Sequence, residues 1–153
     1  MPDFTYGFQP ALQKLAATPQ RLGRAMEDGL TDGALIVVKA TKENIVNGRT
    51  EWPPIKVAAG RVSKVSRSQS KPLLDTGAML RSVHHELESK GGDSMAYIGW
   101  GVKYGATHER GTKKAGRSHN VTIPARPHMR PAYTENKDEI RDAFSRRVRE
   151  AVR

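Results

Sequence analysis

No cysteine occurs in the 153 residues. That excludes a disulfide framework, a zinc–thiolate centre and a thiol nucleophile, and it fits a chain made in a reducing cytoplasm. Aromatic residues make up only 6 % and hydrophobic residues 37 %, which predicts segments that are extended or completed by contact with other chains. No window approaches the roughly 18 apolar residues of a membrane span, and the opening MPDFTYGFQP has neither the basic start nor the apolar run of a signal peptide. A soluble protein with no membrane partner is expected. Acids are missing where bases are dense. Between Pro53 and Leu74 stand Lys56, Arg61, Lys64, Arg67 and Lys71 with no acid, and between Lys103 and Arg130 the single acid is Glu109, against Lys113, Lys114, Arg117 and four further cations.

What is present starts from that charge. A net +10 gathered in central segments predicts attraction to a negative partner, nucleic acid or an acidic protein face. A solvated, solubilising surface is the plainer reading of the same residues. The length suits one domain over residues 1–153, large enough for a real core. Residues 18–46 read as a helix: Thr18 suits the cap, Pro19 the first helical position, and Leu22, Met26, Leu30 and Ala34 recur every four residues. Gly23, Gly29 and Gly33 weaken it by about 1 kcal/mol each relative to alanine, so the helix is expected to rely on packing. Residues 47–72, rich in Gly, Pro, Ser and cations, read as a long basic loop.

Residues 73–133 are expected to hold the sheet. In LLDTGAMLRSV, Asp75 or Thr76 suits the cap of a short helix carrying Met79 and Leu80. Val83, His85 and Leu87 then alternate with His84, Glu86 and Glu88 as in a half-buried strand. KGGDS supplies a turn, and MAYIGWGV reads as a second strand, apolar on both faces and therefore central. A third strand is expected at Asn120–Pro124. Ile140, Phe144 and Val148 mark an amphipathic helix over 135–152. The expected fold is α+β: a small antiparallel sheet covered by a long N-terminal and a shorter C-terminal helix.

YGATHERGT, Tyr104 to Thr112, is the stretch that most resembles a reactive site. A zinc-protease helix needs a second histidine four residues after the first, and position 112 is Thr112. His84 and His85 are adjacent on a strand and point to opposite faces, so they do not share a metal. As an acid–base pair, His108 and Glu109 lack a nucleophile partner. A metal-dependent hydrolase built on them is therefore the weakest of the functional readings, and no metal or cofactor is expected. The structural reading is a helical turn with Tyr104 and Ala106 facing the core, closed by a left-handed Gly111. IPARPHMRPA carries Pro124, Pro127 and Pro131, which predict a stiff extended arm flanked by Arg126 and Arg130. That arm suits either a docking edge or a rigid connector.

Four blocks in order resemble one family: WPP at Trp52–Pro54, KPLLDTGAMLRSV, YIGWGVKYGATHERGT and IPARPHMRPA. Together they are similar to the neck and tail-completion proteins of tailed phages, the phage virion morphogenesis proteins. The resemblance spans Trp52 to Tyr133, about half of the chain. On it, Asp75, Thr76, Gly77, Tyr104, His108, Glu109, Gly111, Pro124, Arg126, Pro127 and Pro131 are structural residues. Position 105 is glycine where alanine is usual, and position 128 is histidine where an aromatic or leucine is usual. The resemblance implies a non-enzymatic virion protein, made in the host cytoplasm. It would form a homo-oligomeric ring between tail and head, with other neck, connector or tail-tube proteins as partners. Arg61, Lys64, Arg67, Lys71, Lys113, Lys114 and Arg117 would then face those partners or, without reading sequence, DNA in the lumen. A free, sequence-independent DNA-binding protein is the alternative that the charge alone supports.

Overall fold

A 39-residue helix, α1 (Gln9–Asn47), forms the spine of the molecule. The computed structural model describes residues 9–50, 52, 73–74, 76–115, 117, 119 and 121–153, with side chains from residue 18 onward. Asp75, Arg61, Lys64, Arg67, Lys71 and the 53–72 segment lie outside the described residues. Helix α1 starts nine residues before the expected Thr18 cap, and Pro19 lies inside it. Upstream of Thr18 the sequence supplies Ala, Leu, Gln and Lys, all good helix formers, with Pro10 in the first turn where a missing N–H is harmless.

The buried side of α1 runs through Ala25, Ala34, Val37, Val38, Thr41 and Ile45. A second face meets α5 (Lys137–Val152). A Cβ on Gly29 would stand 2.8 Å from Phe144 Cδ2, and one on Gly33 would stand 3.0 Å from Ile140 Cγ2. The glycines that weaken α1 as an isolated helix thus form the seam into which α5 fits. Arg147 closes the seam: its Nε donates to Asp32 at 2.7 Å and its Nη2 at 3.3 Å. The Arg147 guanidinium holds the Asp32 carboxyl below its ordinary range. Asp138 and Glu139 in the first turn of α5 and Arg149 in the last suit the helix dipole.

Between these helices the chain makes α2 (Ala78–Ser82), then an antiparallel hairpin of β1 (Val83–Lys90) and β2 (Asp93–Trp100) around Gly91–Gly92. The register runs from Val83↔Trp100 to Lys90↔Asp93. His84, Glu86 and Glu88 therefore share one face with Met95 and Tyr97, while Val83, His85 and Leu87 share the other with Ala96 and Ile98. The second face turns to α1, where Ser89 Oγ donates to Glu27 at 2.7 Å. Strand β2 is not central: among the described residues it pairs with β1 alone, and Met95 and Tyr97 are half exposed.

The remaining elements are α3 (Gly105–Arg110), β3 (Thr112–Ala115), β4 (Val121–Ile123) and α4 (Met129–Glu135). The expected third strand forms as β4, yet it pairs with β3 in a separate two-stranded sheet. The expected arm is also shorter: it ends at His128, and Pro131 sits in the first turn of α4. The apolar core gathers Val38, Ile45, Trp52, Leu73, Met79 and Val83, with Ile98 and Trp100 against it. The fold is α+β, with a long N-terminal helix on a C-terminal helix and small antiparallel strand pairs.

Candidate functional site

The blocks singled out in the sequence meet at the start of α4. Glu109, on the last turn of α3, turns its carboxylate onto that start: Oε2 accepts the N–H groups of His128 at 2.8 Å and Met129 at 3.0 Å, and Oε1 accepts that of Arg130 at 2.9 Å. The first N–H groups of a helix have no partner within it, and the helix dipole favours a negative charge there. Glu109 supplies both needs from 20 residues away in sequence. A carboxylate so engaged is a cap.

His128 is completely buried, and its partners fix its protonation. Trp100 Nε1, which only donates, lies 3.0 Å from His128 Nε2, so Nε2 accepts and the proton sits on Nδ1. From there it reaches the Arg126 carbonyl at 2.9 Å and Glu109 Oε2 at 3.0 Å. A proton on Nε2 would oppose the indole N–H. Burial is the main force holding the imidazole below its ordinary pKa, against the opposing pull of the Arg126 carbonyl and Glu109. Histidine, where the resemblance leads one to expect an aromatic or leucine, thus has a physical reason, because neither a phenyl ring nor leucine offers a nitrogen lone pair to the indole N–H.

Other segments lock onto the same residues. Trp52 Nε1 donates to the Pro127 carbonyl at 2.9 Å, Asn44 Nδ2 on α1 donates to the His128 carbonyl at 2.8 Å, and Arg126 N donates to the His108 carbonyl at 2.7 Å. Arg49, beyond the end of α1, holds Glu135 at the end of α4 through contacts of 2.6 and 3.1 Å.

Gly111 makes the crossing possible. Its φ of 73° and ψ of 168° lie in a region open essentially to glycine alone. A Cβ there would also stand 2.7 Å from the backbone nitrogen of Ala125. The expected positive φ is present, but the conformation is extended rather than the helical left-handed cap. The expectation that Tyr104 and Ala106 face the core is overturned: both are exposed and Gly105 is buried instead. The reason is Trp100, whose ring lies where a Cβ on Gly105 would be, at 2.5 Å.

His108 shares a cavity of about 380 Å³ with Leu73, Thr76, Gly77, Met79 and Tyr104. Its ring meets Tyr104 edge-on at 5.9 Å. Burial is the main force that lowers its pKa, and the charge of Arg126 acts in the same direction. Thr76 Oγ1 accepts the Ala78 N–H at 3.3 Å, near the start of α2, while Gly77 takes the N-cap position. Pro124 and Pro127 lie in the arm, and Arg126 between them is 4 % exposed. The knot thus contains Thr76, Gly77, Tyr104, His108, Glu109, Gly111, Arg126, Pro127 and Pro131. Lys113, Lys114 and Arg117 are not part of it; all three are exposed on or beside β3.

Sequence reasoning missed Trp100, Asn44 and Arg49 as members. Trp100 carried a usable signal, since a packed indole seeks an acceptor for its N–H and His128 is the unusual residue of the last block. Among the described residues, no three His, Cys, Asp or Glu side chains gather in a way that would hold a metal, and no helix is long and apolar enough to cross a membrane.

The profile of the phage virion morphogenesis family matches residues 5–149, well beyond the span of the four blocks. The chain is also similar to the Mu-like prophage FluMu G protein 2 of Haemophilus influenzae, with 31 % identity over 97 residues, 63 % of this chain and 59 % of that protein. The match thus spans less than two thirds of that relative's length. No solved structure matches.

Proposed function

Because this chain belongs to the phage virion morphogenesis family, we propose that it is a neck or tail-completion subunit, forming a ring that joins the tail to the head around the DNA channel. A structural role in the virion follows from the family itself; the ring and its position are the proposed part. The observation that carries the reading is the use made of the family blocks. Within them Glu109 caps α4, and Gly111 and His128 fix how the arm crosses, so these groups serve the shape of the chain. The exposed surface is left for partners. Lys113, Lys114 and Arg117 are exposed there, a strip suited to the acidic face of an adjoining ring or to phosphates read without sequence preference.

Deleting the gene tests the reading. Separate filled heads and finished tails are expected; infectious particles assembled without the protein would overturn it. Replacing Lys113 and Lys114 together by glutamate tests the strip. A folded protein that fails to join heads to tails, or to pass DNA, is expected. Loss of soluble folded protein would mean that these lysines serve the fold.

A further inference from the structure

Two surface patches outside the knot are unlike each other and matched to each other. The first is the outward face of the β1–β2 hairpin. Met95 is 51 % exposed and Tyr97 49 %, and they stand in register across from Glu88 and Glu86. The second is an open groove of about 660 Å³ between α1 and α2. Its apolar lining includes Leu35, which is 48 % exposed, and Leu80, and its rim carries Lys39, Lys42 and Arg81 against the single acid Glu43. One patch is apolar with a mainly acidic border, in which His84 lies 3.5 Å from Glu86 and Lys90 stands opposite Asp93. The other is apolar with a basic border.

We propose that the hairpin face of one subunit seats in the α1–α2 groove of the next, Tyr97 and Met95 against Leu35 and Leu80, with Glu86 and Glu88 facing Lys39, Lys42 and Arg81. The proposal rests on the ring reading above and supplies its contact. Either patch laid against its own copy would bring like charges together, which is costly at an interface. The hairpin turns its other face to α1, so the outward face and the groove are separate surfaces of one subunit. Each copy then carries one of each, and pairing them is head-to-tail. Such contacts close into a ring when the rotation between copies allows it. The 53–72 segment is a poor occupant for the groove, because its charges are all positive, like the rim.

The absence of native cysteine makes the test direct. Particles are assembled with Tyr97→Cys, with Leu35→Cys, or with both substitutions in one chain, then oxidised and separated without reductant. The double variant should give a ladder of covalent multimers, and each single variant only monomer. A covalent dimer from Tyr97→Cys alone would mean face-to-face pairing and overturn the proposal. Monomer alone from the double variant, in particles that contain the chain, would overturn it and leave the ring reading standing. Particles that assemble without the chain would remove both. Independently, Glu86→Lys with Glu88→Lys should lower particle yield by about tenfold or more while the isolated protein stays folded by circular dichroism. Adding Lys39→Glu and Lys42→Glu should restore the yield; no restoration counts against the pairing.

Discussion

The α1–α5 seam and the knot around α4 hold the same chain together by opposite means. The seam is made of repetition: small residues every fourth position on one helix, large ones every fourth on the other, and an ion pair at its edge. The knot is made of single polar groups from distant segments, brought together by individual hydrogen bonds. Repetition spreads a fault over many contacts. A knot concentrates it, because a buried donor deprived of its acceptor loses the whole hydrogen bond.

The sharpest way to break the comparison is Gly111→Val, which combines a forbidden backbone conformation with a clash against Ala125. A loss of about 4 kcal/mol is expected, read as a lower urea midpoint; an unchanged midpoint would show that the crossing is not fixed there. Next is Glu109→Ala, which strips the acceptor from three N–H groups and should remove about 3 kcal/mol. Glu109→Gln, which keeps one carbonyl oxygen, should lose less. If both variants melt with the parent, the capping account fails.

The seam answers to a pair of identical substitutions with opposite signs. Gly23→Ala, where a Cβ meets nothing within 4 Å, should stabilise by about 1 kcal/mol through helix propensity. Gly29→Ala, pressed against Phe144, should give a net loss of about 1 kcal/mol after the same gain is subtracted from the overlap. Equal effects at the two sites would mean that α5 does not sit in the seam.

The smallest effect is that of pH. His108 and His128 both have lowered pKa values in the folded state, so the unfolded chain binds protons first as pH falls. Their contribution is complete above the unfolded value of about 6.5 and declines as pH drops below it toward the folded values. Urea midpoints at successive pH values should therefore decline below that point, and the decline should shrink in His128→Gln. A flat profile would count against the neutral, buried imidazole.

How much of this was legible follows the same division. The apolar spacing of α1 and α5, the alternation of β1 and the Gly–Gly turn are local patterns, so sequence periodicity revealed them. The start of α1 was misjudged because Thr18–Pro19 is a good cap in isolation, while the helix-forming residues before it favour continuation. The pairing of β4 with β3 rather than with the hairpin was hidden, because strand partnership is decided by where Gly111 turns the chain. In the site, the blocks were visible and their roles were not. His108–Glu109 looks like a reactive pair on paper, yet nothing within 15 residues of Glu109 announces that its partners are the N–H groups of residues 128–130. His128 stood out in the sequence only as a departure from the usual residue, and its partner, the Trp100 indole, lies 28 residues away.

Both tryptophans of the chain, Trp52 and Trp100, direct their indole N–H groups to residues 127 and 128. All of the indole fluorescence therefore arises beside the knot, while the α1–α5 seam, lined by Phe144, Ile140 and Tyr133, contributes no indole emission. Circular dichroism follows the helices instead. Unfolding watched by the two signals together divides the molecule along the line that separates its two modes of construction. If the knot opens first, emission changes before helicity is lost; if the chain gives way as one unit, the two curves coincide.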